Sequence, residues 1–129
     1  MRQSQLDSVA EEMGVQKNIL IVSSDPTFAS LVERELGPDF EIHAAATDIA
    51  AYALMDAYNY ECLVIDLSAR SIAGSATVSG LRISSLTIPV VALVLPGSED
   101  RLPPGTIACI SDADPIPYLA RMIREAISA

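Results

Sequence analysis

The first candidate for chemistry in this sequence is a carboxylate that directly follows a short apolar run. Cys62-Leu63-Val64-Ile65 is continuous, apolar and partly β-branched, which is typical of a strand buried on both faces of a sheet. The next residue is Asp66. In an open parallel sheet, ligands bind in the crevice beyond the carboxyl ends of the strands. Asp66 is therefore the first residue to consider for binding or reaction.

A polar segment follows the first apolar run of the chain in the same way. Ile19-Leu20-Ile21-Val22 predicts a strand, and Ser23, Ser24 and Asp25 come directly after it. Asp25 is a favourable N-cap residue, and the proline that follows it fits the first turn of a helix. Asp25 is therefore predicted to cap a helix, a role that turns its side chain away from a ligand pocket.

The apolar patterns along the chain predict five strands that alternate with helices. The strands are expected at residues 19–22, 40–44, 62–65, 90–95 and 106–110. Helices are expected from 26 to a stop at 37–38, from 47 to about 57 and from about 116 to 128, whereas 75–85 has poor helix propensity. This alternation predicts one α/β domain with a parallel sheet and right-handed crossovers.

Composition excludes several classes of protein. The chain has 129 residues, 50% of them hydrophobic, which is enough for one domain with a real core. A net charge of −9, from 17 acids and 8 bases, argues against a nucleic-acid surface, which needs a basic stripe. No apolar run reaches the roughly 18 residues of a membrane span, and the N-terminus lacks a signal-peptide pattern. The expected location is cytoplasmic, with no membrane contact.

The cysteines and the single histidine do not suggest a metal centre. Cys62 and Cys109 both fall in predicted strands and are expected to be buried free thiols. His43 is expected on the exposed face of an edge strand, and without a Cys/His cluster no zinc site or other cofactor is predicted.

Residues 1–17 form an N-terminal extension, either a short amphipathic helix or a frayed tail.

Several residues in one register carry a resemblance to a known family. They are Ile19-Leu20-Ile21-Val22 with Asp25-Pro26, Val64-Ile65-Asp66-Leu67 with Gly74, and Ile88-Pro89-Val90-Val91. From Lys17 onward the chain resembles the receiver domain of bacterial response regulators. The resemblance implies a flavodoxin-like, doubly wound, five-stranded parallel sheet in the order 2-1-3-4-5, within a receiver-like domain at 18–129. It also makes Asp66 the counterpart of the acid that accepts a phosphoryl group from a histidine kinase.

The positions that support that reaction in receivers have changed here. Two acids after the first strand hold a divalent metal in the family, and they correspond to Ser23 and Ser24, which are poor magnesium ligands. The family's Thr or Ser after the fourth strand corresponds to Val94. Its Lys-Pro after the fifth strand corresponds to Ser111 and Asp112. A further family proline is replaced by Arg70.

Two interpretations of Asp66 follow. One is an inherited carboxylate held by backbone N–H groups and by Ser23 or Ser24. The other is phosphorylation by an altered mechanism in which Arg70 or another base replaces the metal and the lysine. The groups that phosphoryl transfer requires act together, so the loss of four of them, at Ser23, Ser24, Val94 and Ser111, favours the first interpretation.

The leading functional hypothesis is a pseudo-receiver, a signalling or scaffold module that binds a protein partner without metal-dependent phosphorylation. One alternative is a sensor of a small ligand such as a cyclic dinucleotide, contacted by Arg70 and Arg82. Another is a receiver that is phosphorylated at Asp66 after all. No enzyme activity is expected, since no nucleophile–base pair or Gly-rich phosphate loop is apparent.

The connection after the fourth strand predicts an interaction surface. Residues 96–105 contain three prolines, which leaves little room for the family's fourth helix, so that helix is expected to be shortened or missing. Alternate residues of the fourth and fifth strands would then lie under a thin loop and leave a large apolar area. Leu102 in that loop, the N-terminal extension, a second copy of the chain or a different protein is expected to cover it. The surface is predicted around Leu102, Ile116 and Leu119, and weak homodimerisation is expected there.

Overall fold

Five parallel strands form one sheet in the order β2-β1-β3-β4-β5, as predicted. The computed structural model describes residues 17–67, 88–96, 106–110 and 115–128, with the backbone alone at 108–110. The strands are β1 (Lys17–Val22), β2 (Phe40–Ala45), β3 (Cys62–Asp66), β4 (Val90–Val94) and β5 (Ile107–Ile110). The helices are α1 (Pro26–Leu36), α2 (Asp48–Ala57) and α3 (Ile116–Ser128), and a 3₁₀ turn spans Gly37–Asp39.

The helices begin and end where local chemistry predicts. The Asp25 carboxylate accepts a hydrogen bond from the backbone N–H of Thr27 at 3.0 Å, and a proline occupies the first turn of α1. Gly37 ends α1 with a positive φ of 77°, a conformation that favours glycine. The Thr47 hydroxyl caps α2 by accepting from the N–H of Ala50 at 3.1 Å.

Both faces of the sheet are covered by apolar side chains, as expected of a doubly wound fold. On one face, alternate residues of β1, β3 and β4 pack with α1 and α3. On the other face, the intervening residues pack with α2 and Tyr60. Arg124 of α3 also donates to the carbonyl oxygens of Glu35 and Leu36, at 2.9 and 3.0 Å. Arg124 therefore ties α3 to the last turn of α1, whose carbonyls lack helical partners.

One expectation about the predicted interaction surface is wrong. Every residue of β4 is at most 5% exposed, so the apolar face of β4 is covered. Leu119 is 1% exposed and packs in the core with Phe28 and Ile123, so it is not a surface residue. Helical spacing gives the apolar stripe of α3, but only the packing tells which of its members are fully covered.

Some predictions fall outside the described residues. They concern residues 1–16 of the N-terminal extension, segment 75–85, the shortened fourth helix, and residues Arg70, Arg82, Leu102, Ser111 and Asp112. None of the helices in the described part of the chain is both long and apolar enough to cross a bilayer.

Candidate functional site

Strand register brings the predicted site residues of β1, β3 and β4 to one edge of the sheet. Val22 lies beside Ile65, so Ser23 and Asp66 follow at the same level on neighbouring strands. On the other side, Asp66 lies beside Leu93, and Val94 is the next residue of β4. The N–H of Ser23 donates to the carbonyl of Ala45 at 3.0 Å, which holds Ser23 in line with the end of β2.

Ser23 and Asp66 form a buried hydrogen-bonded pair. The Ser23 hydroxyl donates to Asp66 Oδ2 at 2.8 Å. Asp66 is 0% exposed and Ser23 4% exposed, and they are the only buried polar or charged residues among those that the structure describes. The backbone N–H of Asp25 donates to the Ser23 hydroxyl oxygen at 3.1 Å. The N–H can only donate and the carboxylate accepts, so the hydroxyl proton is directed to Asp66.

The remaining polar residues after β1 do not complete a cation site. Ser24 is exposed, and the Asp25 carboxylate accepts from the N–H of Thr27 as a helix cap. Within the described ranges, no group of three or more His, Cys, Asp or Glu side chains is arranged to hold a metal. Magnesium prefers carboxylate oxygens in octahedral geometry and keeps several waters. The described residues around Asp66 therefore do not fit the divalent cation that the resemblance implies.

Val94 supplies no polar group to the site. It is 1% exposed and lies beside Ile110 of β5, one residue beyond the partner of Asp66. An isopropyl side chain cannot donate a hydrogen bond to a phosphoryl oxygen. In the described part of the site, the Asp66 carboxylate is held by the Ser23 hydroxyl, and the next strand contributes the apolar side chain of Val94. Both polar groups are closed to solvent, so a substrate cannot reach them in this conformation.

A second polar group lies on the edge strand, and sequence reasoning missed it. The His43 side chain is 19% exposed, which corrects its prediction as a surface residue. Its Nδ1 lies 2.6 Å from the hydroxyl of Tyr60, and its ring meets Tyr58 edge-on at 4.7 Å between centroids. Glu41 Oε1 lies 3.8 Å from His43 Nε2. We refer to His43, Tyr58, Tyr60 and Glu41 as the edge cluster.

Burial of Tyr60 raises the pKa of its hydroxyl, with smaller contributions from Tyr58 and Glu41. The sequence carried a signal for the edge cluster, two tyrosines just before β3. Their approach to β2 is a consequence of the crossover through α2. The rings pack on one another, which is typical of a structural aromatic cluster.

Cys62 is a buried free thiol, as predicted. Burial raises its pKa to about 12, so it remains protonated and unreactive at neutral pH. β4 lies between β3 and β5 in the sheet, which places the strands of Cys62 and Cys109 about 10 Å apart, beyond the reach of a disulfide.

Comparisons with known proteins identify the fold. No protein-family model and no curated protein matches the chain. Among solved structures, the receiver domain of a Francisella response regulator superposes with a TM-score of 0.71 at 18% identity, covering 88% of this chain and 98% of that one. A putative response regulator from Chloroflexus aurantiacus gives 0.68 at 19% identity, covering 88% and 99%.

A receiver domain described as CheY-like, from Methylobacillus flagellatus, gives a TM-score of 0.61 at 19% identity, covering 86% of this chain and 98% of that one. The chain therefore has the flavodoxin-like receiver fold over most of its length. At such low identities the likeness extends to the fold alone.

Proposed function

We propose that this chain is a signalling or scaffold module that keeps the receiver fold and recognises a protein partner without metal-dependent aspartyl phosphorylation. The observation that carries the proposal is the hydrogen bond from the Ser23 hydroxyl to Asp66, with both residues buried. Receiver domains are generally signalling modules that act through other proteins, and that coarser role agrees with the fold.

The chemistry of phosphoryl transfer explains why this hydrogen bond matters. A carboxylate that attacks a phosphoryl donor needs a free oxygen in line with the donor, and nearby cations that neutralise the developing charge. Here Asp66 Oδ2 is engaged by Ser23 and the carboxylate is 0% exposed. Ser23, Ser24 and Val94 supply no charge for the transition state. We infer that Asp66 is a structural carboxylate in this protein.

Phosphorylation can be tested directly on the purified chain. The protein is incubated with acetyl phosphate and MgCl₂, and its intact mass is measured under acidic conditions. No phosphoryl adduct is expected. A receiver domain with a complete acid pair is the positive control, and Asp66→Asn identifies the site of any adduct. An adduct on the wild-type chain that disappears in Asp66→Asn would refute the proposal and support a phosphorylated receiver.

A further inference from the structure

The Ser23 hydroxyl makes two hydrogen bonds, which together fix the direction of its proton. Its oxygen accepts from the N–H of Asp25 at 3.1 Å, and its proton is donated to Asp66 Oδ2 at 2.8 Å. Both Ser23 and Asp66 are at least 95% buried. A divalent cation in a protein is held mainly by carboxylate oxygens. This pair supplies one carboxylate and one neutral hydroxyl, so it lacks the second negative charge that would hold a cation.

We infer that the Ser23 hydroxyl replaces a divalent cation as the group that holds the Asp66 carboxylate, so that this end of the sheet is assembled without a cation. A cation holds a carboxylate by charge, whereas a hydroxyl holds it by one charge-assisted hydrogen bond. The same hydroxyl also binds the backbone at Asp25, where α1 begins. One neutral side chain thus joins the ends of β1 and β3 to the start of α1.

The inference makes Ser23 the residue that decides whether the protein depends on a cation. Ser23→Asp would place a second carboxylate within hydrogen-bond range of Asp66, at a site closed to solvent. Two carboxylates at that distance repel each other strongly when both are ionised. The variant is therefore expected to be destabilised without divalent cations and to recover when one binds between the two acids. The Ser23 hydroxyl of the wild-type chain is neutral and adds no such repulsion.

The test is the melting temperature of the full chain as MgCl₂ is raised, with KCl at matched ionic strength as the salt control. Wild type is expected to show the same melting temperature in both salts. For Ser23→Asp, a dissociation constant of about 1 mM would raise the melting temperature by about 5 °C at ~10 mM MgCl₂. Ser30→Asp adds the same charge at an exposed position of α1 and is expected to behave as wild type.

Binding is measured independently with Mn²⁺, whose paramagnetism broadens amide signals near the site. Broadening is expected around Ser23 and Asp66 in Ser23→Asp and not in wild type. A magnesium-dependent melting temperature or local Mn²⁺ broadening in wild type would overturn the inference. So would a Ser23→Asp protein that stays unfolded, or fails to bind, at high cation concentration.

The inference rests on the same hydrogen bond as the proposed function, but the two can fail separately. Phosphorylation of wild-type Asp66 without any cation would refute the structural role proposed for Asp66 and leave the inference intact. Cation binding by the wild-type chain without a phosphoryl adduct would refute the inference and leave the proposed function intact.

Discussion

Removing the Ser23 hydroxyl by Ser23→Ala tests whether the buried pair stabilises the fold. The substitution deletes the donor at 2.8 Å from Asp66 and the acceptor at 3.1 Å from the N–H of Asp25. A hydrogen bond to a buried charged group contributes about 1.5–3 kcal/mol, and Asp66 keeps its other contacts, so we expect a loss of about 2 kcal/mol. For a domain of this size that corresponds to a melting temperature lower by about 8 °C.

The assay is urea unfolding followed by circular dichroism, with the slope of the transition compared between variants to check two-state behaviour. Ser30→Ala is the matched control, because Ser30 is exposed on α1 and the change there should cost less than about 0.5 kcal/mol. In an Asp66→Asn background, Ser23→Ala is expected to cost only about 1 kcal/mol, since the remaining hydrogen bond is neutral. A loss under about 0.5 kcal/mol for Ser23→Ala, or an equal loss in both backgrounds, would contradict the assigned pair.

Three further predictions concern other parts of the molecule. The pKa of Cys62 is raised from 9.0 to about 12 in the folded state, so its contribution to stability is complete below pH 9 and is lost as the pH rises toward 12. The stability advantage of wild type over Cys62→Ala should therefore shrink by about 1.4 kcal/mol between pH 7 and pH 10 in urea titrations, and a constant difference would refute burial of the thiol. Arg124→Ala should lower the free energy of unfolding by about 1 kcal/mol, because it removes two hydrogen bonds to the end of α1. Arg121→Ala, on the exposed side of the same helix, should cost less. Equal losses would argue against the contribution of Arg124 to the packing of α3 on α1. If the surface around Leu102 and Ile116 supports self-association, light scattering should show a concentration-dependent mass that Leu102→Glu abolishes, and a strict monomer at high concentration would exclude it.

The helix boundaries were predictable from sequence because they depend on neighbours along the chain. Asp25 caps α1 through Thr27, two residues away, and Thr47 caps α2 through Ala50, three residues away. Alternation and apolar runs likewise predicted the strands, because side-chain direction follows from the strand itself. The sheet order came from the resemblance to receivers, and the observed order confirms it.

The Asp66 environment was predictable in part. The sequence placed an acid after a core strand and two serines after another, and it suggested that Ser23 or Ser24 would hold the acid. Choosing between them required the register of β1 against β3, in which Val22 lies beside Ile65 and Ser23 reaches Asp66. A shift of one residue would turn the other side chain toward the carboxylate.

The positions of His43, Leu119 and β4 were decided by tertiary structure. His43 follows an exposed pattern within its strand, yet Tyr58 and Tyr60 approach it after the chain has crossed over through α2. Leu119 belongs to an apolar helical stripe, and its 1% exposure results from packing against a face of the sheet. Sequence alone thus determined which segments become strands and helices and which side chains can cap them. Contacts between segments tens of residues apart depend on register and packing angle, which local patterns do not encode.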